Sequence, residues 1–245
     1  MVDEESSGNS EEIVLRIRET LIAGSQIFLD YDGTLVPIVI NPENCYADER
    51  LRSILMKISD KYDLFIVSGR QVDELRKFIG LDINLIGMHG AVAYIHGKEM
   101  PLVRDFYSYR ERMRKVIDMH LETQYDGLRV YDKSSGILFH LGLVPPDRRD
   151  GPSARIAEIA YETGMELYRG KSVLELKIPG VNKGDAIRKF RNDLPCLIAG
   201  DEKTDESAFV KCSECITIHV GSGETVAEFR VMDVAALRNI LDQIA

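Results

Sequence analysis

Short apolar runs alternate with amphipathic helical patterns along the first part of this 245-residue chain. The runs Ile27–Leu29 and Leu64–Val67 each end in a turn, and runs of that length between turn residues are typical of buried parallel strands. Helical spacing of apolar residues covers about 12–22, 47–61 and 72–79. This order of strand, turn and helix predicts an α/β domain whose functional crevice lies at the carboxyl ends of parallel strands.

The pattern changes between about residues 100 and 178. A long charged helix over about 104–123 is followed there by hairpin-like strands and a second helix near 153–163, which together indicate an α+β insert. The alternation then resumes, with a helix from about Lys183. We therefore expect one core interrupted by a lid, with these boundaries: an acidic flexible tail at 1–11, a core of 12–99 and 179–245, and an insert of 100–178.

Composition and charge are those of an ordinary globular protein. The chain is 44% hydrophobic, and its 31 basic and 40 acidic residues give a net charge of −9. Because the basic residues are dispersed, no basic face is available for phosphates, which argues against nucleic-acid binding. No apolar run approaches the roughly 18 residues of a membrane span, and the acidic start lacks the order of a signal peptide. We expect a cytoplasmic monomer that binds neither nucleic acid nor membrane.

The cysteines indicate neither a disulfide scaffold nor a metal site. Cys45, Cys196, Cys212 and Cys215 are too few for a disulfide scaffold in a chain of this length, so reduced thiols are expected. Cys212 and Cys215 form a C-x-x-C motif. A zinc ribbon needs a second such pair, and a thioredoxin-like motif lies at a helix N-terminus after a strand; neither context is present.

Two acidic residues follow the first predicted strand. Asp30 and Asp32 come directly after Ile27–Leu29, and Gly33 supplies an unrestricted turn, so both carboxylates can face one crevice. One can stay ionised as a nucleophile and bind a divalent cation, while the other, if its pKa is raised, donates and later accepts a proton. The alternative is a pair of aspartates in an ordinary turn.

Further polar residues follow the other predicted strands. Asp201 and Asp205 would lie on one face near a helix N-terminus, and oxygen ligands of this kind suit Mg²⁺. Helix capping by Asp201 is the alternative. The ammonium of Lys183 could neutralise a phosphoryl group, and Ser68 lies at a strand-to-helix turn that can cradle phosphate oxygens. Together these positions predict phosphoryl chemistry.

Four motifs resemble those of the haloacid dehalogenase superfamily. They are Phe28–Leu35 (FLDYDGTL), Ile66–Arg70 (IVSGR), Lys183–Gly184 and Gly200–Glu206 (GDEKTDE). Three further features are similar to the trehalose-6-phosphate phosphatases: the Asn182 that begins the third motif, the run VLEL at 173–176, and the residues Ser207–Phe209. The match covers about residue 24 to the end of the sequence. The resemblance implies a Rossmann-like parallel-sheet core with an inserted α+β cap domain. It also implies a Mg²⁺-dependent phosphatase that converts trehalose 6-phosphate to trehalose and phosphate.

The same resemblance implies roles for individual residues. Asp30 would attack phosphorus to form an aspartyl-phosphate, and Asp32 would protonate the leaving sugar and then activate water. Ser68 would hydrogen-bond the phosphoryl group, and Lys183 would neutralise it. The residues implied for Mg²⁺ are Asp30, Asp32 through its carbonyl, and Asp201, supported by Glu202 and Asp205. The residues implied to bind substrate are Arg70, His89, Lys133, His140 and Glu175.

The insert matches this family less closely than the core. Lys133 and His140 stand at the spacing of the Lys and His that line the family's glucose site. Three positions differ: Gly142 replaces the usual Arg, Tyr131 the usual Glu, and Val92 the usual acidic residue. Three alternatives stay open, and the first of them is favoured because lost polar contacts weaken the rejection of wrong substrates. These are a phosphatase of another sugar phosphate such as mannosyl-3-phosphoglycerate, a mutase, and a noncatalytic phosphosugar-binding module.

Overall fold

A computed structural model describes residues 4–39, 41–133 and 135–245 of the protein. The chain divides into two compact units. The core unit comprises the residues up to Met100 together with Asn182–Ala245, and the inserted unit comprises Pro101–Val181. The chain therefore leaves the core unit once and returns to it once.

The core unit contains an eight-stranded mixed sheet. Numbered along the whole chain, its strands are β1 (Gln26–Leu29), β2 (Asp63–Val67), β3 (Asn84–Gly87), β4 (Val92–Ile95), β5 (Lys98–Pro101), β10 (Cys196–Gly200), β11 (Ile216–Val220) and β12 (Phe229–Val231). Their order across the sheet is β12-β11-β10-β1-β2-β3-β4-β5. Neighbours from β12 to β3 are parallel, and β4 is antiparallel to β3. Every residue of β1, β10 and β11 is buried, as expected for parallel strands covered on both faces.

Amphipathic helices accompany this sheet. They are α1 (Glu4–Thr20), α2 (Glu49–Lys61), α3 (Val72–Ile79), α7 (Lys183–Phe190), α8 (Lys203–Lys211) and α9 (Val234–Ile244), with short 3₁₀ turns at Pro42–Asn44 and Met88–Gly90. Helix α2 illustrates why they form. Asp48 caps it by accepting a hydrogen bond from the backbone N–H of Leu51 (2.8 Å), and Leu51, Ile54, Leu55 and Ile58 are buried on one helical face.

The inserted unit is an antiparallel sheet with helices on one face. Its strands are β6 (Arg129–Asp132), β7 (Gly136–His140), β8 (Glu166–Arg169) and β9 (Val173–Lys177), in the order β6-β7-β9-β8. Its helices are α4 (Phe106–Ile117), α5 (Leu121–Gln124) and α6 (Asp150–Thr163), with a 3₁₀ turn at Pro146–Arg148. Ile137, Phe139, Leu174 and Leu176 are buried on the side where α4 and α6 pack. The alternate residues of β7 and β9 point to the opposite face of the sheet. They are half-exposed, except for the buried Gly136, so this face is open.

Several elements differ from those that the apolar pattern predicts. Helix α1 begins at Glu4, although the pattern predicts a helix from about Glu12 and a flexible tail over 1–11; residues 1–3 lie outside the described part of the chain. This first stretch is polar, so apolar periodicity cannot reveal its helix. The single helix expected over 104–123 is instead α4 and α5, because His120 takes a left-handed φ of 48° between them. Strands β3, β4, β5 and β12 have no counterpart in the predicted elements.

A disulfide bond joins Cys196 to Cys215, which corrects the expectation of four reduced thiols. Leu197 on β10 lies opposite Ile216 on β11, so the preceding cysteines are neighbours across two parallel strands. The pairing therefore depends on strand register, which cysteine count and spacing do not reveal. Cys212 is a free, buried thiol, so its C-x-x-C motif is split between the disulfide and that thiol. Within the described residues, no helix combines the length and apolarity needed to cross a membrane.

Candidate active site

Asp30 lies at the carboxyl end of β1, in the middle of the core sheet. Its backbone N–H donates to the carbonyl of Ala199 (2.9 Å), so it continues the ladder between β1 and β10. The residue is only 3% exposed. Its Oδ1 accepts a hydrogen bond from Lys183 Nζ (2.7 Å), whereas Oδ2 is buried and has no hydrogen-bond donor among the described residues. Asp30 thus has one oxygen held in place and one oxygen available.

Lys183 is the first residue of α7 and is 1% exposed. Asn182 caps this helix by accepting a hydrogen bond from the backbone N–H of Asp185 (2.8 Å). Besides Asp30, Lys183 Nζ donates to Asp205 Oδ1 (2.8 Å). Burial disfavours the ammonium, but the charges of Asp30 and Asp205 outweigh this effect and raise the pKa of Lys183 above its usual value. Lys183 is therefore a permanent ammonium that ties two buried carboxylates together.

Asp205 connects Lys183 to the start of α8. While Oδ1 accepts from Lys183, Oδ2 accepts from the backbone N–H of Glu202 (3.1 Å). Glu202 is the N-cap residue and forms a capping box with Asp205, and its Oε1 lies 3.5 Å from Lys183 Nζ. Glu202, and not Asp201, therefore caps this helix, and the carboxylate of Asp201 has a different role.

Asp201 follows β10 and is held by the segment after β1. Thr34, which is fully buried, donates from Oγ1 to Asp201 Oδ1 (2.8 Å). Gly33 has a φ of 83°, and a Cβ there would lie 2.1 Å from Asp201 Oδ2, so glycine is required for this close approach. Thr34 is a site residue that the sequence reasoning did not single out, although its position inside the first motif was the available signal.

Three carboxylates, two buried and one half-buried, form a cluster able to hold a metal ion. One oxygen each of Asp30, Asp201 and Asp205 lies within 4.8 Å of the others. Burial raises the pKa of all three carboxyl groups above their ordinary values, and that of Asp30 well above. An all-oxygen donor set of this kind fits a hard divalent cation such as Mg²⁺, whose charge would offset the cost of burying carboxylates.

Asp32 is paired with Arg70 by two hydrogen bonds. Arg70 Nε donates to Asp32 Oδ2 and Nη2 donates to Oδ1, each at 2.6 Å. The guanidinium also lies 4.8 Å from the ring centre of Phe78. Burial lowers the pKa of Arg70, but its hydrogen bonds to Asp32 and the charge of that carboxylate outweigh burial and raise the pKa. Arg70, expected to bind substrate, is engaged here by the carboxylate of Asp32.

Ser68 and His89 lie in two turns that contact each other. The Oγ of Ser68 accepts from the backbone N–H of Arg70 (3.1 Å), and its carbonyl accepts from the backbone N–H of His89 (2.9 Å). The imidazole of His89 lies against Gly69. Met88 and His89 both have a φ of 54°, a left-handed conformation that costs energy in residues with a side chain and is concentrated at functional sites. The turn expected to cradle phosphate is thus supported by a strained neighbouring turn.

The substrate residues expected in the inserted unit share one face of its sheet. His140 on β7 lies opposite Val173 on β9, and Glu175 is two residues further along, diagonally across from His140. Lys133 is exposed just after β6, and its backbone N–H bonds to the carbonyl of Gly136 (2.9 Å). This face therefore combines an ammonium, an imidazole and a carboxylate.

Gly142 determines how His140 is oriented. The backbone N–H of Gly142 donates to His140 Nδ1 (3.2 Å), and a Cβ at Gly142 would lie 2.4 Å from His140 Cε1. The arginine usual in the family would therefore displace this imidazole. Because Nδ1 accepts, neutral His140 carries its proton on Nε2, which can donate to a hydroxyl group.

Comparison with known proteins identifies the family. A family profile described as trehalose-phosphatase matches residues 28–231. The chain belongs to the trehalose-phosphatase family. The trehalose-6-phosphate phosphatase-related protein of Thermoplasma acidophilum is 44% identical over 221 residues, which are 88% of this chain and 94% of that relative. Membership of the trehalose-phosphatase family confirms the predicted enzyme class, a phosphoric monoester hydrolase.

Solved structures agree with this assignment to the trehalose-phosphatase family. One, of a trehalose-6-phosphate phosphatase related protein, has a TM-score of 0.75 at 44% identity and covers 90% of this chain and 96% of its own. A haloacid dehalogenase-like hydrolase of B. subtilis has a TM-score of 0.58 at 13% identity, over 90% and 100% of the two chains, and shares the fold alone. The predicted α/β class, with a Rossmann-like parallel-sheet core, is confirmed.

Proposed function

We propose that this member of the trehalose-phosphatase family is a Mg²⁺-dependent phosphatase of trehalose 6-phosphate, releasing trehalose and phosphate. The observation that carries the proposal is the setting of Asp30. Lys183 holds one oxygen of this buried carboxylate, the other oxygen has no donor among the described residues, and Asp201 lies beside it. Phosphoryl transfer needs mainly positioning and charge neutralisation, and this arrangement supplies both.

In the proposed mechanism Asp30 is the nucleophile. Its Oδ2 forms a bond to phosphorus while the bond from phosphorus to the sugar oxygen breaks, and Asp32 gives a proton to the departing oxygen. Asp32 then takes a proton from water, whose oxygen attacks the aspartyl-phosphate and returns Asp30 as a carboxylate. Lys183 holds Asp30 at Oδ1 throughout, and Ser68 is placed to hydrogen-bond the phosphoryl oxygens.

Asp30, the main-chain carbonyl of Asp32 and Asp201 are the proposed ligands of Mg²⁺. When bound, the ion supplies positive charge to the phosphoryl group. Asp205 and Glu202 act on this site indirectly, because both contact Lys183.

The substrate residues proposed in the inserted unit are Lys133, His140 and Glu175. Their hydrogen-bonding groups suit hydroxyls, which is the chemistry of a sugar. Tyr131 and Gly142, where the family usually has Glu and Arg, favour keeping a second candidate: a phosphatase of another sugar phosphate, such as mannosyl-3-phosphoglycerate. A mutase through the same phospho-aspartate and a noncatalytic phosphosugar-binding module remain as outcomes of the test.

The test is phosphate release, with and without Mg²⁺, from trehalose 6-phosphate, glucose 6-phosphate, mannosyl-3-phosphoglycerate and an aryl phosphate. We expect Mg²⁺-dependent release with a large preference for trehalose 6-phosphate, abolished by Asp30→Asn but not by Asp193→Asn at an exposed position. If the protein prefers another sugar phosphate of this set, that compound replaces trehalose 6-phosphate as the proposed substrate. Phosphate moved between hydroxyls with little release would indicate a mutase. No reaction with any compound would support the binding module, and turnover by Asp30→Asn would remove Asp30 as the nucleophile.

A further inference from the structure

Two exposed tyrosines lie in one row across the open face of the inserted sheet. Tyr131 on β6 lies opposite Leu138 on β7, Leu138 lies opposite Glu175 on β9, and Glu175 lies opposite Tyr168 on β8. Directly opposed residues of a sheet project from the same face. Tyr131 is 49% exposed and Tyr168 is 53% exposed, so both rings are accessible.

The residues between the tyrosines are suited to a sugar. Leu138 is half-exposed and offers an apolar floor. Glu175 supplies a carboxylate that is 3.2 Å from Lys177 Nζ, and that ammonium lies 5.2 Å from the ring centre of Tyr168. His140 is on the same face, with Nε2 as its donor. A pyranose has apolar C–H faces and a rim of hydroxyls, and aromatic rings beside a few polar groups bind such surfaces.

We propose that Tyr131 and Tyr168 are specificity-determining residues that stack against the two rings of a disaccharide phosphate. This inference rests on the proposed function, because it names residues that would select that substrate. The two tyrosines are three strand spacings apart, roughly 14 Å between backbones. That span is wider than one sugar ring, and two linked rings can contact both tyrosines.

The stacking role also explains why Tyr131 differs from the residue usual in the family. A tyrosine replaces the usual glutamate there, so one polar contact to the sugar is exchanged for an aromatic surface. Tyr161 provides the contrast: it is 91% exposed on helix α6 and is not part of the sheet. Its substitution is therefore the matched control for loss of an exposed tyrosine from this unit.

The experiment measures kcat and KM for Tyr131→Ala, Tyr168→Ala, the two Phe variants and Tyr161→Ala. The substrates are trehalose 6-phosphate, glucose 6-phosphate and p-nitrophenyl phosphate. Each Ala variant should raise the KM for trehalose 6-phosphate about threefold to tenfold, the scale of one aromatic contact. The Phe variants should retain the wild-type KM, because stacking needs the ring and not the hydroxyl. Glucose 6-phosphate has one ring, so at most one of the Ala substitutions should raise its KM.

The results of this experiment distinguish failure of the stacking proposal from failure of the proposed substrate. If the wild-type protein prefers trehalose 6-phosphate and neither Ala variant changes its KM, the stacking proposal is wrong and the proposed function stands. The stacking proposal also fails in three other cases: the Ala variants raise the KM for p-nitrophenyl phosphate equally, Tyr161→Ala raises the KM for trehalose 6-phosphate as much, or the Phe variants raise it as much as the Ala variants. If the wild-type protein shows no preference for a disaccharide phosphate, the proposed substrate fails, and the stacking proposal fails with it.

Discussion

Asp32 and Arg70 form an ion pair through two parallel hydrogen bonds, each 2.6 Å between nitrogen and oxygen. Such a bidentate pair fixes the plane of the carboxylate, because both of its oxygens accept from one planar guanidinium. In the proposed mechanism the carboxyl group of Asp32 must therefore separate from Arg70 at the step in which it protonates the leaving sugar.

The first prediction concerns Arg70 as the residue that orients Asp32. Arg70→Ala should lower kcat/KM for trehalose 6-phosphate about tenfold to hundredfold, which is at most the lower end of the 10²–10⁴ that a general acid contributes, because Asp32 itself is still present. The loss for an aryl phosphate should be smaller, because an aryl oxide leaves without a proton. Steady-state kinetics on both substrates give the comparison, with Arg76→Ala on the exposed side of α3 as control. Equal losses on both substrates would mean that Arg70 contacts the phosphoryl group and not Asp32.

The second prediction concerns Lys183, whose ammonium lies between Asp30 and Asp205. Lys183→Met should abolish measurable turnover and lower the free energy of unfolding by about 3–5 kcal/mol, because two buried carboxylates lose their counter-charge. Their raised pKa values should rise further, so the folded variant binds protons that the unfolded chain releases. Its stability should therefore fall as pH rises from about 5 to 8.

Urea unfolding in a metal chelator measures this effect at each pH. Lys189→Met, in the same helix but away from the carboxylates, serves as the control. A variant whose stability is unchanged or rises with pH would contradict the charge balance described for Asp30, Lys183 and Asp205.

The third prediction concerns Thr34, which donates to Asp201. Thr34→Val keeps the shape of the side chain and removes the hydroxyl, so Asp201 should lose its orientation. Partners of metal ligands contribute about 10–100-fold in affinity, and we expect the Mg²⁺ concentration for half-maximal activity to rise by that factor. Thr217→Val, at another buried threonine, should leave it unchanged. Unaltered Mg²⁺ dependence in Thr34→Val would show that Asp201 needs no such partner.

The fourth prediction concerns the disulfide between Cys196 and Cys215, which are separated by 19 residues. Closing a loop of this length stabilises a protein by about 3 kcal/mol in the chain-entropy account. Cys215→Ser should lower the unfolding free energy by that amount in oxidising buffer, and the difference from wild type should shrink after reduction. Cys212→Ser serves as the control because its thiol is free. Identical denaturation curves for wild type with and without reductant would argue against a stabilising bond.

The sequence predicts that the main acidic residues lie at strand ends, where the structure also has them, because the signals are local. Asp30 and Asp201 each follow an apolar run, and runs in parallel strands deliver their last residues to one edge of the sheet. Lys183 begins a helix after a capping Asn182, which is also a local pattern. These positions therefore need only strand direction and helix starts, both of which the residue pattern indicates.

Other features depend on contacts between distant segments. The pairing of Asp32 with Arg70 and of Thr34 with Asp201 requires side-chain conformations that spacing does not encode. The Cys196–Cys215 bond follows from the register of two strands. Helix α1 from Glu4 is polar at its start, so the apolar period had nothing to detect there.

The left-handed backbone at Met88 and His89 has a consequence for how this protein would change under selection. Glycine at His89 would relieve the strain there because it populates positive φ freely, whereas glycine at Met88 would also remove a buried core side chain. A laboratory population selected for heat resistance alone should drift towards glycine at the His89 codon. A population selected for turnover should retain His89, so the two lineages would diverge first at this turn.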